Sequence, residues 1–127
     1  MIRVLLVDDH EVFLEGLALL LAKDPRLEVA GTATNGADAV QLAELLRPDV
    51  VLLDVVMPGM DGFEAAERLR RSLPEAGVVL ISGLEEDAAA ARAAALGVDA
   101  FLTKAEAVAR LNDVLVAVGE TRPSSRS

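Results

Sequence analysis

The segment Val50–Asp54 reads VVLLD, and it is followed without a break by Val55–Gly62, which reads VVMPGMDG. Four consecutive apolar residues are typical of a strand that is buried on both faces of a sheet, and this strand ends in a carboxylate. The Pro-Gly pair indicates a turn, so Asp54 stands where the chain leaves the sheet. Because an ionised group beside a dry core costs free energy unless it is paired, we predict a chemical role for Asp54.

Length and composition indicate one domain with an aliphatic core. The chain has 127 residues, of which 53% are hydrophobic and only 2% aromatic. The absence of cysteine excludes a disulfide framework and a thiolate metal site. The net charge of −9 argues against nucleic-acid binding by this segment itself. Because no apolar run reaches the ~20 residues of a membrane span and no signal-peptide pattern is present, we expect a cytoplasmic protein.

Around the central segment, strand-like and helix-like patterns alternate along the chain. The predicted strands are Ile2–Val7, Leu27–Thr32, Val50–Asp54, Val78–Ile81 and Asp99–Thr103. Each strand is followed by a predicted helix. The expected buried faces are, in the first helix, Phe13, Leu17, Leu20 and Leu21; in the second, Ala39, Leu42, Ala43 and Leu46; in the third, Phe63, Ala66, Leu69 and Leu73; and in the fifth, Val108, Leu111, Leu115 and Val118. The fourth helix begins at the acidic run Glu85–Asp87 and is almost all alanine.

This alternation predicts an α/β fold with a doubly wound, five-stranded parallel sheet and helices on both faces. We assign residues 1–119 to this domain. Residues 120–127 are polar and contain Pro123, so we predict a linker or a frayed end.

Four of the five predicted strands end in a polar group: Asp8 and Asp9, Asp54, Ser82, and Lys104. The carboxyl ends of parallel strands lie at one edge of the sheet, so these residues should converge there. Three neighbouring carboxylates repel one another, and a divalent cation relieves that repulsion. Oxygen ligands favour Mg²⁺, and Mn²⁺ would also suit them. A metal, a nucleophilic carboxylate, a hydroxyl and an ammonium group together suggest phosphoryl transfer onto Asp54.

These residues resemble a known family. Val7–His10 (VDDH), Asp54 with the loop Met57–Gly62 (MPGMDG), Ser82-Gly83, and Asp99–Lys104 (DAFLTK) are similar to the motifs of the response-regulator receiver domain of two-component signalling. The similarity extends from residue 2 to about 118, with the motifs in the same order. It implies a flavodoxin-like sheet with strand order 2-1-3-4-5.

The resemblance implies roles for individual residues. Asp54 would be the phosphoacceptor, supplied by a phosphohistidine of a sensor histidine kinase. Asp9 would bind the metal directly, Asp8 would act through water, and the backbone carbonyl of Val56 would be the third protein ligand. Lys104 would bind the phosphoryl group.

Other matched positions concern switching and phosphoryl lifetime. Ser82 and Phe101 stand at the switch positions, and Gly83 stands where a small residue gives access to the phosphoryl group. Val56 and Leu84 flank the site and are apolar, so neither would orient an attacking water, and we expect slow self-dephosphorylation. Many receivers have a proline after the lysine with a cis bond before it, whereas Ala105 follows here, so the resemblance does not justify assuming a cis bond.

Three neighbouring residues have simpler explanations. We expect His10 to be a partly exposed residue at a helix start rather than a ligand, and Asp61 to cap the third helix. Asp9 could itself cap the first helix.

The resemblance predicts a phosphorylation-activated signalling switch that is not an enzyme acting on a separate substrate. Phosphorylation would alter a face made of the fourth helix, the fifth strand and the fifth helix, and would favour a homodimer. The motifs look most like receivers joined to a helix-turn-helix DNA-binding domain, so we expect an attached or separate output domain that regulates transcription.

Three alternatives have different discriminating features. A degenerate receiver would act as a phosphorylation-independent binding module, but the key positions hold working residue types. A phosphatase of the haloacid dehalogenase type needs a second acid two residues after the nucleophile, where Val56 stands. A nucleotide-binding flavodoxin-like protein would need a glycine-rich loop after the first strand, and none is present.

Overall fold

A computed structural model describes residues 1–57, 59–83 and 87–121. In this part of the chain, five strands alternate with five helices. The strands are β1 (Ile2–Val7), β2 (Leu27–Ala33), β3 (Val50–Asp54), β4 (Gly77–Ser82) and β5 (Ala100–Thr103). The helices are α1 (Glu11–Ala22), α2 (Gly36–Leu46), α3 (Gly62–Ser72), α4 (Asp87–Leu96) and α5 (Lys104–Thr121).

The strands form one parallel sheet in the order β2-β1-β3-β4-β5, which confirms the predicted fold class and strand order. β3 lies at the centre, and all five of its residues are buried. Asp54 is in register with Ile81 of β4, and Ser82 is in register with Thr103 of β5. The carboxyl ends of these strands therefore lie side by side.

Two hydrophobic clusters cover the two faces of the sheet. One packs Leu53 and Leu80 against Phe63 and Leu69 of α3 and against residues of α2 and α4. The other packs the alternate strand residues, such as Leu52, against α1 and α5. Because consecutive side chains of a strand point to opposite faces, the uninterrupted apolar run of β3 serves both clusters.

The buried faces of two helices differ from the prediction. In α1, Leu14 is buried and Leu20 is 38% exposed. In α5, Ala107 is buried and Val108 is 81% exposed. Side chains three and four positions apart share a helix face, so a leucine-rich or alanine-containing helix offers two apolar stripes. The orientation of each helix on the sheet then decides which stripe is buried.

Helix α5 continues past the predicted end at Gly119 and reaches Thr121. A Cβ at Gly119 would lie 2.6 Å from Ile2 Cγ2, so the glycine allows the helix to pack closely on the start of β1. The start of the predicted tail is thus helical, and residues 122–127 lie outside the described part of the chain. The division into a domain and a linker stays a prediction. Of the helices described, none has the length and apolarity that crossing a bilayer requires.

Candidate functional site

The predicted functional residues converge at the carboxyl edge of the sheet. Asp8 follows β1, Asp54 ends β3, Ser82 ends β4, and Lys104 begins α5 directly after β5. Lys104 Nζ lies 3.4 Å from Asp54 Oδ2 and 3.5 Å from Asp8 Oδ2. The side chains of Asp8 and Asp54 are almost completely buried. One ammonium group therefore faces two buried carboxylates.

His10 belongs to this group, which the sequence reasoning did not predict. Its Nδ1 lies 3.1 Å from Asp8 Oδ1, 3.2 Å from Asp9 Oδ1 and 3.9 Å from Asp54 Oδ2. The side chain is 65% exposed and His10 is the N-cap residue of α1, as expected of a helix-start residue. Asp9 does not take the capping position; instead the backbone N–H of His10 donates to Asp8 Oδ1 at 2.8 Å. His10 follows Asp8 and Asp9 directly in the sequence, and this adjacency could have predicted its contact with their carboxylates.

The donor atoms suit a divalent cation. One ligand atom from each of Asp8, Asp9, His10 and Asp54 lies within 4.8 Å of all the others. Asp8 Oδ2 and Asp9 Oδ1 are buried and accept no hydrogen bond from the described residues, although Lys104 Nζ lies 3.5 Å from the first and His10 Nδ1 lies 3.2 Å from the second. Buried carboxylate oxygens that lack such bonds are costly unless a cation approaches them. The three carboxylates are hard oxygen ligands of the kind that Mg²⁺ prefers.

The surroundings of Asp54 shift the pKa of its carboxyl group. Burial raises the pKa of its carboxyl group above the ordinary value of 3.8, and the negative charge of Asp8 raises this pKa further. Two contacts oppose the shift: the backbone N–H of Val56 donates to Asp54 Oδ1 at 3.2 Å, and Lys104 supplies a positive charge. The net rise in pKa indicates that burial and the charge of Asp8 destabilise the ionised form more than Val56 and Lys104 stabilise it. A bound cation would oppose this effect.

The start of α3 holds the backbone of Asp54 in place. Gly62 N–H donates to Val55 O at 2.9 Å, and a Cβ at Gly62 would lie 2.7 Å from Val55 Cα and would overlap the carbonyl oxygen of Asp54. Only glycine allows this approach. Asp61 caps the helix as predicted, since its Oδ1 accepts from Glu64 N–H at 2.9 Å.

A capping box at the start of α5 positions Lys104. Thr103 Oγ1 accepts from Glu106 N–H at 3.1 Å, and Glu106 Oε1 accepts from Thr103 N–H at 3.0 Å. The bond from Thr103 N–H to the carboxylate is the largest cause that lowers the pKa of Glu106, and the Thr103 side chain lowers it further. This capping box was not predicted, although Thr103–Glu106 (TKAE) has the S/T-x-x-E spacing that identifies it.

The remaining predicted residues occupy different environments. Ser82 is buried at the end of β4, and Phe101 is half-buried and packs against the cluster that contains Leu80. Gly83 is exposed, and a Cβ there would approach Lys104 Cδ at 3.9 Å. The side chain of Val56 is exposed, and its backbone N–H contacts Asp54. Leu84 lies outside the described residues. The Lys104–Ala105 peptide bond is trans, because the described part of the chain has no cis bond.

Comparison with known proteins identifies the class to which this fold and site belong. The family model of the response regulator receiver domain matches residues 4–116. The chain therefore belongs to the response regulator receiver domain family.

Individual relatives agree with this assignment. The chain is 38% identical over 127 residues to the transcriptional regulatory protein LiaR of Bacillus subtilis, covering 100% of this chain and 60% of the relative. It is 44% identical over 104 residues to the response regulator GacA of Pseudomonas aeruginosa, covering 82% of this chain and 49% of the relative. It thus spans about half to three-fifths of the length of these relatives.

A solved structure shows the same fold. The signal receiver domain of the response regulator NarL from Mycobacterium tuberculosis superposes with a TM-score of 0.88 at 36% sequence identity, covering 95% of this chain and 98% of that one. The protein is a receiver domain of the type found in transcription-regulating response regulators, and a phosphorylation switch fits its site. The three alternative functions are not favoured: a phosphatase of the haloacid dehalogenase type, a nucleotide-binding protein, and a degenerate receiver that only binds partners.

Proposed function

We propose that the domain accepts a phosphoryl group on Asp54 and thereby switches the state of a longer regulator. The observation that carries this proposal is the buried Asp54 carboxylate with the Lys104 ammonium 3.4 Å from its Oδ2, beside two further aspartates. A carboxylate at a strand end with this surrounding charge is suited to attack phosphorus. The donor would be a phosphohistidine of a sensor histidine kinase.

The transfer replaces one bond to phosphorus with another. An oxygen of Asp54 forms a bond to phosphorus, and the bond from phosphorus to the donor imidazole nitrogen breaks. The imidazole takes a proton from solvent as it leaves, and Asp54 becomes an acyl phosphate. Lys104 offsets negative charge on the transferring phosphoryl oxygens, where electrostatic stabilisation supplies most of the catalysis.

Asp8, Asp9, Asp54 and the backbone carbonyl of Val56 would hold Mg²⁺, and Mn²⁺ would also suit them. A cation there would neutralise the three carboxylates and the incoming phosphoryl charge. Asp9 would bind it directly and Asp8 through water. The buried oxygens of Asp8 and Asp9 that accept no hydrogen bond within the described part of the chain support this assignment.

Phosphorylation would be read out at a face formed by α4, β5 and α5. Ser82 would donate to the phosphoryl group, and Phe101, which packs on the neighbouring strand, would change its position in response. Gly83 leaves the site accessible, and the apolar Val56 and Leu84 would give slow self-dephosphorylation. Homodimerisation, and transcription control through a DNA-binding output domain, would follow in the full-length protein.

The experiment is incubation with acetyl phosphate, with and without Mg²⁺, followed by intact-protein mass measurement. We expect one added phosphoryl group that requires both Mg²⁺ and Asp54, with Asp54→Ala unmodified. Asp38→Asn is a matched control, since Asp38 is an exposed carboxylate on α2. No adduct on a folded, metal-supplied wild-type protein would instead support a phosphorylation-independent binding module.

A further inference from the structure

The ammonium group of Lys104 has a third neighbour besides its two carboxylates. Its Nζ lies 4.2 Å from the centroid of the Phe13 ring, over the ring face. Phe13 belongs to α1 and Lys104 to α5, so the contact joins two helices at the carboxyl edge of the sheet. A cation at this distance from an aromatic face is attracted by the ring quadrupole.

The two carboxylates alone hold the ammonium loosely. The distances of 3.4 Å to Asp54 and 3.5 Å to Asp8 are long for charge-assisted hydrogen bonds, which are about 2.7–2.9 Å. Lysine also carries its charge on a flexible four-carbon stem. A third contact that restricts this stem would therefore help to fix the ammonium beside Asp54.

Phe13 gives only part of its surface to the core. The buried side of α1 is formed by Leu14, Leu17 and Leu21, whereas Phe13 is half-buried and packs against the same cluster. Phe13 and Lys104 both line a cavity of about 440 Å³ between α1 and α5. A leucine at position 13 could supply apolar contact there, but it has no ring face for a cation.

We propose that Phe13 is a positioning residue for phosphoryl transfer, because its ring face holds the Lys104 ammonium in place beside Asp54. This inference rests on the proposed function, in which Lys104 stabilises the transferring phosphoryl group. Phe13 acts through Lys104 and does not touch the reacting atoms.

The test compares the rates of phosphorylation by acetyl phosphate at fixed Mg²⁺ in Phe13→Leu, Phe13→Tyr and the wild type. Phe13→Leu should lower the rate constant about 3- to 10-fold, the range that loss of a partly desolvated cation–π contact gives. Phe13→Tyr keeps the ring face and should stay within about twofold of the wild type. Leu20→Ala is the control, because Leu20 lines the same cavity but has no aromatic ring to hold a cation.

A double-mutant cycle separates positioning from general packing. In a Lys104→Ala background, Phe13→Leu should cause no further loss of rate, since the residue it positions is absent. NMR gives a readout that does not depend on phosphorylation: the methylene protons next to Lys104 Nζ should show an upfield ring-current shift in the wild type and in Phe13→Tyr, and lose it in Phe13→Leu.

The outcomes are distinguishable. A phosphorylated wild type with an unchanged rate in Phe13→Leu would overturn this inference alone. An equal loss of rate in the Lys104 and the Lys104→Ala backgrounds would also overturn it, since Phe13 would then act independently of the lysine. A wild type that takes up no phosphoryl group would overturn the proposed function, and the inference with it.

Discussion

Asp54 is buried, yet its carboxyl group can carry a negative charge beside a second carboxylate. The residue is 2% exposed, and it shares the site with Asp8, which is 0% exposed. A single ammonium group, that of Lys104, approaches both carboxylates. This arrangement costs free energy. Asp54 should therefore respond to a bound metal ion and to a change in its own chemical state.

The first prediction concerns the stability of the metal-free protein. We expect Asp54→Asn to raise the free energy of unfolding by about 1 kcal/mol at neutral pH, because the neutral amide removes the repulsion with Asp8 and the cost of a buried charge. Urea denaturation in the presence of a chelator measures the effect. Asp38→Asn removes an exposed charge from the first turn of α2 and should leave stability unchanged or slightly lower it.

The same substitution has a defined pH dependence. The pKa of Asp54 is raised in the folded state, so folded Asp54 holds its proton at pH values where the unfolded chain has released it. Relative to Asp54→Asn, the wild type should therefore lose stability as the pH rises from 3.8 through the raised pKa of Asp54. A constant difference between the two proteins from acid to neutral pH would contradict the electrostatic explanation.

At the level of single residues, the sequence predicted the acidic and basic groups of the site but not their surroundings. Asp8, Asp54 and Lys104 follow from strand ends and from motif positions. The approach of His10 and Phe13 depends on how α1 leaves its N-cap and how two helices face each other. These are tertiary properties that one residue type at one position does not specify.

At the level of elements, the packing of α3 on β3 controls where Asp54 stands. An added Cβ at Gly62 would meet backbone atoms of Asp54 and Val55 and not a flexible side chain, so no side-chain movement could make room for it. This explains why a glycine begins the helix, although glycine has a lower helix propensity than alanine.

The second prediction is a pair of glycine substitutions with opposite signs. Gly62→Ala should lower the free energy of unfolding by about 1–3 kcal/mol and slow phosphorylation, because the added Cβ collides with the backbone of Asp54 and Val55. Gly16→Ala, inside α1 with no atom within 4 Å of its added Cβ, should stabilise by about 0.5–1 kcal/mol. Thermal and urea unfolding measure both; a stabilised Gly62→Ala would refute the close approach.

The elements themselves were predictable to within a few residues, whereas helix faces were less so. Asn35 and Asp61 are recognisable as caps, and they do accept from the helix backbone. The exposure of Val108 was missed because Ala107 is the smaller and less conspicuous apolar residue. Apolar side chains in a mixed helix identify a stripe only when one side of the helix is clearly polar.

For the whole molecule, alternating strands and helices were sufficient to predict a parallel sheet with two covered faces. The order β2-β1-β3-β4-β5 came from the family resemblance, because alternation alone allows several orders. The net charge of −9 adds to the local repulsion among the aspartates, so cation binding should affect global stability.

The third prediction is stabilisation by Mg²⁺. At a concentration 100 times its Kd, a cation bound only by the folded state adds about 2.7 kcal/mol to the free energy of unfolding. Calorimetry should show a rise in Tm for the wild type, most of which is lost in Asp9→Asn and retained in Asp38→Asn. An equal rise in all three proteins would indicate non-specific screening of the net charge.

The most direct test of the account locates the phosphoryl bond. After phosphorylation, borohydride reduces an acyl phosphate to an alcohol and so converts the modified aspartate into homoserine, which peptide mass spectrometry can place. We predict homoserine at position 54 and at no other aspartate. Homoserine at position 8 or 9, or a phosphorylated protein that yields none, would contradict the role of Asp54 as the phosphoacceptor.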